Sequence, residues 1–315
     1  MINNLDPIAF HVLGFDIYWY GLFYGFSFLV CSTMMGQLLT LDVIGTNEIS
    51  FSSKSSTSIL NGKYGDRLLI LLVIFIILGS RLGYTIFYAP HWFQSDILYI
   101  FNTRSGGLSL HGGLIGGFTG ILLFSFLILL NSKNRYYKII LRYKSNKFTS
   151  NVHYSKAFLA SLLLALSISD AIAIFCPIGL LLGRISNFIN GELYGRVTEL
   201  PIGVIFAKVD SFPRHPSQIY EAILEGVILL FITTNLAKNT KILSYNGMIS
   251  GVTLAFYSVF RYLCEFFRAP LDGHVEFMNR FITKGQSLSV YSLCIGGAVI
   301  LFSIILKFAI RCGKG

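Results

Sequence analysis

The stretch "YSVFRYLCEFFRAP" sets Arg261 and Glu265 four residues apart, on one face of a helix, with Arg268 one turn further on. The stretch "LGRISNFINGELYGR" presents Arg184, Asn187, Asn190, Glu192 and Arg196 directly after a long apolar run. Guanidinium forks match phosphate oxygens, so Arg184 and Arg261 converging from two helices would clamp one anion, with Glu265 holding Arg261 in orientation. Taken alone, Arg261 and Glu265 have a plainer reading, an ion pair that neutralises itself so that the helix can insert. A third stretch, "RSGGLSLHGGLIGGFTG", puts His111 at the end of a stripe in which Gly112, Gly116 and Gly120 recur every fourth residue, as do Gly113 and Gly117. An imidazole, with an ordinary pKa of about 6.5, suits proton transfer near neutral pH, although an interfacial histidine bound to a loop carbonyl fits the same position. The stripe leaves one side of its helix almost bare, open to a close-packed helix or an acyl chain.

These groups must be positioned by elements that face lipid. The 315 residues are 54% hydrophobic and only 13% charged, against roughly 25% in soluble domains. Apolar stretches near the ~20 residues that span a bilayer recur along the chain. They predict an all-α polytopic membrane protein with about seven transmembrane helices, near residues 17–39, 68–89, 108–130, 157–182, 218–237, 247–267 and 288–308. Between them there is no room for a soluble domain, so residues 1–315 are expected to form one membrane-embedded domain. "MINNLDPIAF" lacks the basic n-region of a cleaved signal peptide, so the first span is expected to remain.

With the N-terminus outside, the inner segments hold most of the 25 Lys and Arg residues, which puts the C-terminus in the cytoplasm. The run "NSKNRYYKIILRYKSNKFTSNVHYSK", residues 131–156, supplies much of the +10 net charge. A cytoplasmic loop facing anionic headgroups explains it, and nucleic-acid binding is not expected. Five cysteines are scattered singly, with no metal-ligand spacing, so neither a disulfide nor a metal is expected. An Arg, Lys or Asp at mid-span costs about 2.5 to 3.5 kcal/mol, so Arg81, Asp170, Arg184, Arg261 and Glu265 require partners or a cavity. Asp170 is expected to pair with a polar group on a neighbouring helix and Arg81 with a carboxylate or a backbone carbonyl. His215, in "RHPSQIYE", is expected to shape the loop before the fifth span, with Pro213 and Pro216 stiffening the turn. A secondary transporter or channel for an anionic solute would also want intramembrane arginines, but such folds usually show repeat symmetry, and none is visible here.

"GRISNFINGELYG" resembles the signature of the bacterial prolipoprotein diacylglyceryl transferase family. Further landmarks of that family recur in order: "YWYGLFYG", "GSRLGY", "GGLSLHGG", "RHPSQIYE", "FRYLCEFFR" and "GQSLS". The departures are Ser186 for Gly or Ala, Ser258 for Gly, an extra Leu271 in "RAPLDG", and Lys284 where an apolar residue is commoner.

The resemblance implies a reaction at the outer face of the cytoplasmic membrane. The diacylglyceryl group of phosphatidylglycerol moves to the thiol of a lipobox cysteine in a prolipoprotein signal peptide, releasing glycerol 1-phosphate and leaving a thioether, without cofactor or metal. The nucleophile arrives with the protein substrate, so no reactive serine or cysteine is required of the enzyme. The family associates the positions matching Tyr20, Arg184, Asn187, Glu192, Gly195, Arg261 and Glu265 with activity or lipid binding. On that reading Arg184 and Arg261 stabilise the leaving phosphate, while Asn187, Asn190 and the Tyr20 hydroxyl bind phosphate or glycerol oxygens. Glu192 and Glu265 orient the arginines or accept glycerol hydroxyls, and Gly195 lets backbone approach the headgroup. A thiol with pKa of about 8.5 needs a base or a cationic field, and His111 is the candidate base, the arginines alone being the alternative.

Overall fold

The structure, a computed structural model, describes residues 1–40, 63–87, 107, 109–131, 154–269, 274–277 and 280–312. The Ser-rich connector up to residue 62, most of the basic loop, His91, His153 and the Leu271 departure lie outside the described residues. The main helices are α1 (Trp19–Thr40), α2 (Lys63–Phe87), α3 (Leu110–Asn131), α4 (Tyr154–Asn190), α5 (Ser217–Ala237), α6 (Met248–Cys264) and α7 (Lys284–Cys312). Five contain windows long and apolar enough to cross a membrane: Arg67–Ile86, His111–Ile128, Ser161–Asn190, Ser217–Ala237 and Lys284–Ala309. The apolar windows of α1 and α6, Trp19–Val30 and Met248–Cys264, are shorter. Ile74 on α2, Phe231 on α5 and Ile305 on α7 are exposed, as expected of surfaces solvated by acyl chains. The chain is an all-α polytopic membrane protein.

The helices fall into two compact units, Met1–Leu38 with Asp170–Lys307, and Leu39–Ser169 with Phe308–Gly315. In the first, a buried knot of Ala173, Ile174 and Ile249 packs beneath Phe175, Ala237, Ile242 and Leu243. Asp170 anchors the start of α6, its carboxylate accepting the backbone N–H of Gly247 (2.7 Å) and both the N–H (2.8 Å) and the hydroxyl (2.7 Å) of Ser250. A carboxylate at a helix N-terminus satisfies donors that the helix itself cannot, and this is the polar partner expected on a neighbouring helix. Pro177 lies inside α4 and has no N–H to give the Ala173 carbonyl, which accepts the Cys176 thiol (3.6 Å) instead. The Ile174 carbonyl accepts the Thr233 hydroxyl of α5 (2.9 Å).

Helix α4 continues eight residues beyond the predicted end at residue 182, because its polar residues find partners outside the helix. It closes in a Schellman motif: Gly191 takes φ +72°, its N–H reaches Phe188 O (3.1 Å), and the Glu192 N–H reaches Asn187 O (2.9 Å). Three short strands lie beside this end, β1 (Ile2–Asn3) parallel to β4 (Val204–Phe206), and β4 antiparallel to β5 (Pro213–Arg214). The Asn3 amide of β1 donates to the Phe188 carbonyl (2.5 Å), and buried Phe206 meets Phe188 edge-on. Two hairpins, β2 (Ile8–Val12) with β3 (Phe15–Tyr18) and β6 (His274–Phe277) with β7 (Arg280–Thr283), precede α1 and α7.

In the second unit the glycine stripe of α3 packs on α2. A Cβ at Gly112 would meet the Gly79 carbonyl, and one at Gly116 the Phe75 carbonyl, so the two backbones touch where only glycine fits. A helix fills that side of the stripe. Arg81, buried on α2, donates to the Gly107 carbonyl (3.0 Å), which is the backbone carbonyl expected as one of its partners.

Candidate active site

The last two turns of α4 carry Arg184, Asn187 and Asn190 on one face. Helix α5 carries Gln218, Glu221 and Glu225 three and four residues apart, its middle widening into a π-helical stretch, Ala222–Ile228. Across this segment both carboxylates reach Arg184: Glu221 Oε2 lies 3.0 Å from its Nε and Glu225 Oε2 lies 3.0 Å from its Nη2. The other Glu221 oxygen receives Arg261 Nη1 (3.0 Å) and Arg268 Nη1 (3.4 Å). Arg261 turns its Nη2 to Glu265 (2.5 Å). Glu221 is therefore the centre of the cluster, linking Arg184 on α4 with Arg261 at the end of α6 and Arg268 just beyond it.

Arg184, Arg261 and Arg268 face Glu221, Glu225 and Glu265, a balance of charge that explains how so many ions are held in an apolar setting. Glu221 and Glu225 are fully buried. The two arginines expected to converge on an anion do converge, but the group at their focus is a carboxylate of the protein. Arg184 Nη1 and Arg261 Nε make no hydrogen bond among the described residues.

Glu265 is fixed from a second direction. The Thr283 hydroxyl donates to its Oε1 (2.9 Å). Thr283 is itself the cap of α7: its Oγ1 accepts the Gln286 N–H (3.1 Å), and Gln286 Oε1 accepts the Thr283 N–H (3.2 Å), a reciprocal capping box written in "TKGQ". A Cβ at Gly285 would crowd the Glu265 carboxylate, so glycine leaves room for that carboxylate in its present position where α7 begins. Gln286 and Gly285 thus support the ion network from behind.

The loop after α4 carries the rest of the signature. The Glu192 carboxylate accepts the amides of Asn187 (3.2 Å) and Asn190 (3.2 Å). Its backbone carbonyl accepts the amide of Gln218 (2.5 Å), and the Leu193 carbonyl accepts the Ser217 hydroxyl (2.9 Å), which clamps the loop onto the first turn of α5. Leu193 is held at φ +56°, a conformation that costs a non-glycine residue about 1 to 3 kcal/mol and persists only where surroundings impose it. Tyr20, in the first turn of α1, donates to the Tyr24 hydroxyl (3.3 Å) and lies within electrostatic reach of Glu192 and Arg184.

Gly195 has a different explanation from the one its sequence position suggested. The space a Cβ would need is filled by His215 and by the Phe267 carbonyl, and the Gly195 N–H donates to His215 O (2.9 Å). Three backbone segments meet here, so protein fills the space where a side chain would stand. His215 shapes this crossing as anticipated: its main chain bonds Arg196 and Gly195, and its ring stands against Phe267 and 3.1 Å from the Tyr220 hydroxyl. Arg214 braces the same loop through Asp210 and lies 4.9 Å from the Tyr194 ring. Its bonds hold the Asp210 carboxyl below the usual carboxylate range.

The structure brings together Arg184, Arg261 and Glu265, and gathers Asn187, Asn190 and Glu192 with Tyr20 nearby. His111 opens α3 in the second unit and is half-buried. Sequence reading missed Glu221 and Glu225 as counter-ions, Gln218 as the Glu192 partner, and Thr283 with Gln286 as the Glu265 support. The signal was present in "SQIYEAILEG", where two glutamates four apart interrupt an otherwise apolar helix and demand cationic partners. Among the described residues no group of His, Cys, Asp or Glu could hold a metal ion, and Cys176, Cys264 and Cys294 are in no disulfide.

Fold and site together define a polytopic membrane enzyme whose polar centre is an arginine and carboxylate network among apolar helices. The chain belongs to the prolipoprotein diacylglyceryl transferase family, whose model matches residues 7–133 and 154–302. It is 35% identical over 304 residues to a phosphatidylglycerol--prolipoprotein diacylglyceryl transferase of Aeromonas hydrophila, covering 95% of this chain and 91% of that one. Proteins of the same name from Rickettsia africae (36% over 297 residues, 94% and 96%) and Wolbachia pipientis wMel (33% over 306 residues, 97% of each) are similar to it.

Proposed function

We propose that this chain catalyses the first step of bacterial lipoprotein maturation, transferring the diacylglyceryl group of phosphatidylglycerol to the thiol of the lipobox cysteine of a prolipoprotein. The thiol sulfur attacks the glyceryl carbon, the carbon to phosphate-oxygen bond breaks, glycerol 1-phosphate leaves, and a thioether remains. Charge grows on the departing phosphate, and the observation that carries this reading is the partly buried arginine cluster with Arg184 Nη1 and Arg261 Nε uncommitted. Donors fixed in a water-poor site contribute about 3 to 4 kcal/mol each to such a transition state. Glu221 and Glu265 hold the guanidinium planes, so little reorganisation accompanies the charge. Asn187, Glu192 and Tyr20 line the adjoining headgroup region, and His111 receives the thiol proton.

On this reading the chain is one membrane-embedded domain of the bacterial cytoplasmic membrane, N-terminus outside, with the site toward the outer leaflet. The test is a mass shift. Purified protein incubated with phosphatidylglycerol and a lipobox peptide is expected to place diacylglyceryl on the peptide cysteine. Flux of an anionic solute in vesicles without that product would assign the arginines to transport instead.

A further inference from the structure

Among the described residues six buried side-chain oxygens have no hydrogen-bond partner: Ser169 Oγ and Ser303 Oγ elsewhere, and Asn190 Oδ1, Gln218 Oε1, Glu221 Oε2 and Glu225 Oε1 at the site, with Glu221 Oε2 in ion-pair contact with Arg184. A buried acceptor left unpaired costs about 1 to 3 kcal/mol, so each calls for an explanation. Glu225 lies seven residues along α5 from Gln218 and belongs to the arginine end, its other oxygen pairing with Arg184. Asn190 and Gln218 belong to the other end and share an anchor, Glu192.

The orientation of both amides is set by that anchor. Asn190 Nδ2 faces a carboxylate oxygen of Glu192, and Gln218 Nε2 faces its backbone carbonyl. Both partners can only accept, so each amide must turn its NH2 toward Glu192 and present its carbonyl oxygen elsewhere. Gln218 is wholly buried, with no water-facing alternative for that oxygen. A phosphodiester carries acceptors alone at neutral pH and cannot satisfy either atom. Hydroxyl groups can.

We infer that Asn190 and Gln218 form an acceptor pair for the hydroxyl groups of the lipid's glycerol headgroup, making Gln218 a specificity-determining residue for the reaction. The inference rests on the proposed function and divides the labour within the site: arginines take the phosphate, and the two amides anchored on Glu192 take the free glycerol hydroxyls. Asn190 therefore reads hydroxyl rather than phosphate. The family signature's asparagine and glutamate act here with a glutamine contributed by α5, which ties headgroup recognition to the clamp between Ser217, Gln218 and the Leu193 loop.

The experiment compares kcat/KM for phosphatidylglycerol and for phosphatidylpropanol, with identical acyl chains and a lipobox peptide, using the full chain in nanodiscs. Phosphatidylethanolamine forms a third arm. Phosphatidylglycerol is expected to be favoured over phosphatidylpropanol by about tenfold or more, since a site built for a hydroxyl rejects the analogue without it. In Gln218→Met that ratio is expected to narrow several-fold. Equal use of the two lipids by the native protein, or equal use of phosphatidylethanolamine, overturns the inference and leaves the proposed function standing. A Gln218→Met protein that is slower on both lipids at an unchanged ratio overturns the assignment of Gln218 by showing a structural role. If that variant does not fold, the native protein's ratio alone decides whether the hydroxyls are read. No lipidated peptide from phosphatidylglycerol itself would defeat the proposed function, and this inference with it, before any analogue is used.

Discussion

Two regions of this chain solve the same problem in opposite ways. The seam between α2 and α3 is built by removing side chains: Gly79, Gly112 and Gly116 bring backbones into contact, and dispersion over that surface holds the pair. The cluster where α4, α5 and α6 converge is built by adding charge, with Arg184, Arg261 and Arg268 balanced against Glu221, Glu225 and Glu265. A bare seam demands only proximity and can do no chemistry. A charged cluster is costly to bury, and apolar residues of similar volume would serve stability as well, so its retention points to what it binds. The seam is structural, whereas the cluster is the part of the molecule to which the proposed function assigns the substrate's phosphate.

That contrast can be broken at several points. The largest effect is expected for Glu221→Ala, which leaves three guanidiniums without their shared carboxylate; a loss of about 3 to 5 kcal/mol should appear in denaturant unfolding in detergent, with turnover abolished. Arg261→Lys should separate function from stability. A lysine lacks the planar fork that aims Nη1 at Glu221 and Nη2 at Glu265 and leaves Nε over, so turnover of lipobox peptide should drop about 100- to 1000-fold while the protein stays inserted and folded. Near-normal turnover would remove Arg261 from the clamp.

His111→Asn tests whether the second unit contributes chemistry as well as packing. A loss of about 100-fold with an altered rate profile between roughly pH 6 and 9 is expected, and an unchanged profile would leave deprotonation to the arginines. Gly116→Leu should act on the seam alone, destabilising by at least about 1 to 3 kcal/mol because its side chain meets the Phe75 carbonyl. Full stability in that variant would mean the seam is not held by close packing.

The smallest effect concerns the loop. The Asp210 carboxyl is held low by Arg214, so its stabilising contribution is present above the ordinary carboxylate range and fades as pH falls through the depressed value. Asp210→Asn should therefore lower stability slightly at neutral pH and flatten the loss on acidification. An identical acid limb in both proteins would show that Asp210 is not part of it.

Much of the site was legible because polar residues in apolar helices are conspicuous. Arg184, Arg261 and Glu265 stand out against their neighbours, and the four-residue spacing already places the last two on one face. Asp170 and Arg81 were readable as groups needing partners, though not which partners. Glu221 and Glu225 call for cations by their spacing in a predicted span, but nothing local names an arginine from another helix as the mate of either. At Gly195 the sequence carries no sign of the segments packed where a Cβ would stand, and only the fold supplies them.

The sequence by itself determined that the chain lives in a membrane, that its helices lie where apolar residues run unbroken, and that arginines and carboxylates must be paired among them. Those conclusions follow from transfer energies and helical periodicity, which are local properties. Only the tertiary structure decided the pairings: that Glu221 joins three arginines, that a capping box on α7 steadies Glu265, and that Glu192 orients Asn190 and Gln218. Such pairings join residues as much as 47 positions apart along the chain. They depend on how helices cross, and a sequence read one segment at a time carries no record of that.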